Sequence, residues 1–179
     1  MDRPSKTCPD CEKPFFPYTT IEKRCIPCAI IKGKASSARK WAAGTRKLKS
    51  KARARDRSYQ LGKAQEAFNA YIRKRDEGLP CISCGNIGNK FTAGHYKSAG
   101  AYPELRFNED NCHGQCWYNC NSNKSGNIIE YRKGLIEKIG IERVEYLEGP
   151  HEPANLSLAD IIEIKNKYRD KLRGLNGLG

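Results

Sequence analysis

The sequence predicts a small α+β protein held together by zinc, with few strands and several helices. Three observations carry this. Eight of the nine cysteines fall in four close pairs, Cys8/Cys11, Cys25/Cys28, Cys81/Cys84 and Cys116/Cys120, the spacing of metal ligands in a reducing compartment rather than of a disulfide framework. Apolar residues recur at helical spacing before and after the second group of pairs. The 179 residues, 38% hydrophobic and 30% charged, suit one modest domain with polar appendages rather than one large core.

Residues 1–31 read as a zinc ribbon or knuckle. Cys8 and Cys11, then Cys25 and Cys28 after thirteen residues, offer four thiolates to one tetrahedral ion. Phe15, Phe16 and Tyr18 between them are expected to cover a small zinc-centred core. Four thiolates leave no open coordination position, so this zinc is structural.

Residues 32–58 form a basic helix or linker. Between 32 and 57 lie eleven Lys/Arg and one acid, Asp56, which supply +10 of the net +13. So concentrated a one-signed charge calls for a polyanion, with nucleic acid ahead of an anionic membrane surface. Arg39, Lys40, Arg46, Lys47, Lys49, Lys51, Arg53 and Arg55 are the candidate phosphate contacts. The alanines favour helix, whereas Gly33 and Gly44 weaken it. Beyond Trp41 and Leu48 there is little apolar stripe, so the expectation is an extended or fraying helix that orders on a phosphate backbone. The membrane reading lacks the apolar face it needs.

Residues 59–127 hold the candidate core. Leu61, Ala64, Phe68, Tyr71 and Ile72 mark an amphipathic helix over 59–77 that stops before Gly78-Leu79-Pro80. Next come Cys81, Cys84 and Gly85, a knuckle whose partners are Cys116 and Cys120. These last two, with three residues between them, are expected to enter a helix with both sulfurs on one face. Cys112 is left over, either a competing ligand or a buried thiol. Phe91-Thr92-Ala93 reads as a short strand that sets His95 at its end. Asn111 lies five residues before Cys116, and Asn121 directly follows Cys120. His113 reads as structural or a reserve ligand, and His151 as an exposed loop residue.

Residues 128–179 are helical. Ile128, Tyr131, Leu135 and Ile139 share one helix face up to Gly140, a short helix follows over 141–147, and Ser157 with Asp160 forms a capping box opening a last helix to about Leu172. No run of 18 apolar residues and no apolar leader are visible, so the expectation is a cytoplasmic protein with no membrane span.

A His after a strand, an Asn closing a loop, then a Cys pair leading into a helix with a polar ligand resembles the HNH (ββα-metal, His-Me finger) nucleases. The resemblance implies that His95 is the general base, that Asn111 holds the loop and orients it, and that Asn121 binds a catalytic Mg²⁺ or Mn²⁺. Gly94 stands where that family usually has an acid. Asp110, Glu104 and Asn123 are the candidate replacements. The second Cys pair also carries one extra residue. Lys97, Arg106 and Lys124 flank the site and would meet phosphates. The longer stretches FNAYIRKRDEGLPCISCG, AGHYKSAGAYPELRFNEDN, CNSNKSGN and LIEKIGIERVEYLEGPHEPA are similar to the lambdoid-phage NinG family, also called Rap. That likeness implies two structural zincs and a phage-encoded endonuclease acting in the bacterial host cytoplasm. It would cleave branched DNA (Holliday junctions, D-loops) during recombination alongside phage or host recombination proteins. A homodimer suits a two-fold junction, with an interface expected on helix 128–147 or 157–172. The alternative is a non-catalytic zinc-ribbon DNA-binding adaptor in recombination or transcription.

Overall fold

A computed structural model describes residues 4–88 and 91–177. The chain divides into two compact units, residues 1–53 and 54–179.

In the first unit, β1 (Lys6–Thr7) pairs antiparallel with β2 (Pro14–Phe15), with Lys6 opposite Phe15. The turn between them closes on Cys8, whose N–H donates to Lys13 O at 2.9 Å and whose carbonyl accepts from Glu12 N at 2.8 Å. Glu12 takes a left-handed φ of 59° to make that turn. The expected aromatic cover is absent: Phe15 is only half-buried, and Phe16 and Tyr18 are 77% and 79% exposed. The two cysteine turns close on each other, so the sulfurs themselves occupy the centre.

The helix α1 (Ile26–Arg55) begins inside the second Cys turn, with Ala29 N–H donating to Cys25 O at 3.0 Å. It runs unbroken for 30 residues and buries none of them. The expected element over 32–58 is thus helical, but it begins six residues earlier, inside the second Cys turn. Gly33 and Gly44 sit in open space, where their cost is helix propensity alone and not strain.

The second unit is built around α2 (Arg57–Arg75), capped by Asp56, which accepts from Tyr59 N–H at 2.8 Å. Its buried face is Ala64, Ala67, Phe68, Tyr71 and Ile72, close to the expected stripe. It packs on α5 (Leu158–Asn176), where Tyr168 meets Phe68 edge-on at 4.8 Å. The Ser157–Asp160 capping box opens α5 as expected, and the helix runs four residues beyond Leu172.

On this pair lies a two-stranded antiparallel sheet, β3 (Phe91–His95) and β4 (Cys112–Cys116), in the register Gly94↔His113 and His95↔Cys112. A π-helical turn, Trp117–Ser122, follows β4. Then α3 (Ile128–Ile139) and α4 (Ile141–Glu148) hinge at Gly140, φ 85°. They enclose a second core of Tyr96, Leu105, Tyr131, Leu135, Val144 and Leu147. The Tyr131 hydroxyl donates to Gly94 O at 2.7 Å and ties that core to β3. His151 is half-buried rather than exposed, packed edge-on to Tyr146 at 5.0 Å. Among the described residues no helix is long and apolar enough to cross a membrane.

Candidate functional site

The eight paired cysteines form two clusters, Cys8/Cys11/Cys25/Cys28 and Cys81/Cys84/Cys116/Cys120, with all four sulfurs of each within 4.8 Å of one another. An ion about 2.3 Å from each of four thiolates spaces neighbouring sulfurs roughly 3.8 Å apart. The distances fit: Cys11 to Cys25 is 3.8 Å, and Cys81 and Cys84 each lie 3.6 Å from Cys116. Both clusters could therefore hold structural zinc. In the second, Cys116 N–H donates to Cys81 Sγ at 3.3 Å and the Asn127 amide to Cys120 Sγ at 3.6 Å, contacts that favour thiolate over thiol.

The extra residue in the second Cys pair is absorbed by the backbone. Cys116 ends β4 instead of starting a helix, and the chain then winds in a π register, with Asn123 N–H bonding Tyr118 O at 3.1 Å. The expected arrangement, with both sulfurs on one helix face, is replaced by one sulfur on the strand end and one on the turn. Cys112 lies outside both clusters, fully buried, and burial pushes its thiol far up the scale, so it stays protonated.

His95 ends β3 half-buried. Its Nε2 lies 2.9 Å from Arg106 O, which assigns the proton to Nε2 and the lone pair to Nδ1. Nδ1 faces the Cys112 sulfur at 3.6 Å, a weak thiol donor. Burial holds the His95 pKa below the ordinary value and outweighs the opposing Arg106 carbonyl.

Asn111 is fully buried and clamps the loop between the strands. Its Oδ1 accepts from Lys97 N–H at 2.8 Å, and its Nδ2 donates to Lys97 O at 2.9 Å and Leu105 O at 3.1 Å. Leu105 precedes Arg106, whose carbonyl holds His95, so the clamp fixes the partner of the imidazole.

Asn121, on the π turn, donates from Nδ2 to Gln115 Oε1 at 3.0 Å. Gln115 is fully buried and donates to Ser83 Oγ at 2.6 Å and Gly126 O at 2.5 Å. A Cβ on Gly94 would lie 2.5 Å from that same Oε1. The space an acid at position 94 would need is thus filled by Gln115, a residue the sequence reading did not single out. Its neighbours in the chain hold no signal, because the contact runs diagonally across the β3–β4 pair.

The three candidate replacements for the acid lie elsewhere or unengaged. Asp110 pairs with Arg143 at 3.2 Å, Glu104 lines a crevice with Phe107 and Tyr168, and Asn123 is exposed at the end of the π turn. Among the described residues no third group of His, Cys, Asp or Glu side chains converges as a metal site. The donors that meet Asn121 are neutral amides, a poor fit to the carboxylate-rich shell a hard divalent ion prefers.

The cations are distributed unevenly. Those of α1 are all exposed. Arg106 instead braces the loop, donating to Gln65 Oε1 at 3.3 Å and Ala99 O at 2.8 Å. Lys97 Nζ lies over the rings of Tyr96 and Tyr102, and Lys124 is exposed.

A second group missed in the sequence is a buried ionic knot at the C-terminus of α2. Asp76 receives Arg75 Nε and Nη2 and the Gly114 N–H, each at 2.8 Å, and Lys138 at 3.4 Å. Burial opposes its charge, but the Arg75 guanidinium and the Gly114 N–H outweigh it and hold the carboxyl far below its ordinary value. His113 Nδ1 accepts from Arg75 at 2.9 Å and Nε2 donates to Asp110 O at 3.1 Å, which makes His113 structural.

Two four-cysteine centres and a two-stranded sheet followed by a π turn define the class: a small α+β protein with two candidate structural zinc sites. Within that class the chain belongs to the family described as Bacteriophage Lambda NinG protein, whose model matches residues 2–177. Protein ninG of Escherichia phage lambda is 47% identical over 120 residues, covering 66% of this chain and 58% of the relative. Protein ninG of Salmonella phage P22 is equally similar, with 59% of its length covered, and that of Enterobacteria phage H19B is 44% identical. The match thus spans less than two thirds of those relatives. No solved structure matches.

Proposed function

We propose that the chain is a structure-specific endonuclease of branched DNA, hydrolysing a phosphodiester with His95 as general base. The observation that carries this is a chain of contacts. His95 follows Gly94, Gly94 is packed by Gln115, and Gln115 holds Asn121, while Asn111 fixes the carbonyl that orients His95. Three polar residues that sequence order alone separates thus share one strand–strand–turn frame, the order of elements in the HNH group. Neutral His95, with its pKa depressed by burial, is in the basic form at physiological pH. Its Nδ1 carries only the weak thiol donor of Cys112 and would take the proton of the attacking water. Asn121 Oδ1, left over once Nδ2 binds Gln115, is the polar atom offered toward substrate. The exposed cations of α1 supply affinity for phosphate. A homodimer on a two-fold junction, and phage or host recombination proteins as partners, belong to the same proposal.

The test is cleavage of a four-way junction, with Mg²⁺, with Mn²⁺ and with neither, by the wild type and by His95→Ala. The expected result is a loss of at least about a hundredfold in rate for the variant with junction binding retained. The wild-type rate should rise with pH through a value below the ordinary histidine pKa. A variant that folds and cuts at the wild-type rate sinks the assignment of His95.

One observation favours a second reading. Both ring nitrogens of His95 already have protein partners, and among the described residues no carboxylate joins Asn121. A chain that binds junctions and cuts none under any of these conditions is a DNA-binding adaptor.

A further inference from the structure

The helix α1 presents more than charge. Trp41 stands near its middle, 76% exposed. Its neighbours on the same face, three and four residues away on either side, are Ser37, Ala38, Gly44 and Thr45. None of these is large enough to bury an indole, so most of the ring stays in water. Lys40 directly precedes it and Arg39 lies two residues before, and the helix holds ten Lys/Arg and no acid. Phosphate binding alone needs no indole, and an apolar ring of this size left in water is a standing cost that an occupant removes.

We infer that α1 is a stacking site for unpaired nucleobases, with Trp41 against a base and the flanking cations on the neighbouring phosphates. Charge selects a polyanion, and the open indole selects one with flat aromatic faces. A base shows its face only when it has left the duplex stack, so the ligand is single-stranded or displaced nucleic acid rather than paired arms. Other occupants fit less well. A second copy of α1 would set ten like charges beside ten. A lipid surface needs a continuous apolar stripe, and the face around Trp41 is interrupted by Gly33, Lys34, Ser37, Gly44 and Thr45. The inference rests on the nucleic-acid part of the reading above, and not on His95. It deepens that reading by naming what is gripped at a branch: the unpaired nucleotides.

The chain has two tryptophans, so Trp117→Phe leaves Trp41 as the single indole reporter in the full-length protein. Its fluorescence and affinity are followed against four probes: a thymidine strand, an abasic strand of equal length, a fully paired duplex and phosphatidylserine vesicles. The expected result is strong quenching by the thymidine strand and little by the abasic strand, though both bind. Trp41→Ala should weaken binding of the thymidine strand roughly five- to a hundredfold and leave the abasic strand unaffected. Trp41→Phe should recover much of the loss, and Trp41→Leu should not. Equal affinity and equal quenching for the thymidine and abasic strands would overturn the stacking site while leaving nucleic-acid binding intact. A blue shift on vesicles with tighter binding there, or on concentrating the protein alone, overturns it in favour of lipid or self-association. Failure of every nucleic-acid probe to bind defeats the broader reading as well, which separates the two.

Discussion

At Gly94 the backbone has no room for a side chain, and the obstruction is specific. An added Cβ would meet not only Gln115 Oε1 at 2.5 Å but Gln115 Cβ at 3.0 Å, so rotating the amide away does not relieve it. Gln115 is in turn held by Ser83 and Gly126. Gly94→Ala is therefore expected to cost about 1–3 kcal/mol through overpacking. Urea unfolding of the two chains measures it. A difference within about 0.5 kcal/mol would mean that Gln115 yields and that the close packing is not what keeps position 94 a glycine. At this scale the sequence was legible where a residue's chemistry has few uses. Eight cysteines in pairs point to two metal sites, and the sulfurs do gather in two clusters of four. It was not legible where the determining contact is diagonal across strands. Gln115 and the Asp76–Arg75 knot are ordinary polar residues in the sequence, and only the β3–β4 register and the C-terminus of α2 bring their partners to them.

Among the elements, α1 is the one whose stability comes from outside its own packing. It buries nothing, and it sets Lys47/Lys51, Lys49/Arg53 and Lys51/Arg55 four apart, each such like-charge pair costing about 0.2–0.5 kcal/mol. What it does have is a tethered start. Cys28 lies in its first turn and is also a member of the first sulfur cluster, so an ion there fixes the helical nucleus whose formation is the slow and costly step. Cys28→Ser is accordingly expected to lower bound zinc from two equivalents to one and to reduce the far-ultraviolet helical signal as α1 frays. Chelator titration and circular dichroism report the two effects together. An undiminished helical signal in a chain that has lost one zinc would show that α1 holds itself. The sequence divides the ribbon from the basic stretch at residue 32, whereas the second Cys turn is itself the first turn of α1, a continuity that composition does not reveal. The π turn at Trp117–Ser122 was hidden for a related reason. The extra residue between Cys116 and Cys120 was visible, but a shifted α register and a π register are equally compatible with a count of residues. The amphipathic stripes of α2 and α3 and the α5 capping box were readable because periodicity and caps are local.

Over the whole molecule, charge and core are segregated along the chain. The unit of residues 54–179 holds both apolar clusters, while residues 32–57 hold +10 of the net +13. Nucleic-acid affinity should therefore be lost steeply with salt, and the loss should trace to α1. Replacing Lys47, Lys49 and Lys51 together with alanine is expected to lower the slope of log K against log salt by about 2–3. It should leave the stability of the second unit unchanged. A slope that does not move would place the phosphate contacts elsewhere, on cations such as Lys97 or Lys124. The division of charge from core was open to view in composition, since it needs only the order of residues. The boundary was not, because α1 runs without interruption past residue 53, where one unit gives way to the next.

The double membership of Cys28 also gives α1 a direction. Four thiolates on one divalent zinc carry a net charge of −2, and this lies at the helix N-terminus, where a negative charge is matched by the helix dipole. The cations crowd toward the other end, from Arg46 to Arg55. A polyanion laid along this helix is repelled at its head and drawn toward its tail. With zinc bound, a strand on α1 is therefore expected to sit toward the Arg46–Arg55 end rather than the Cys28 end, and a cross-linker placed at either end of the helix reads that bias.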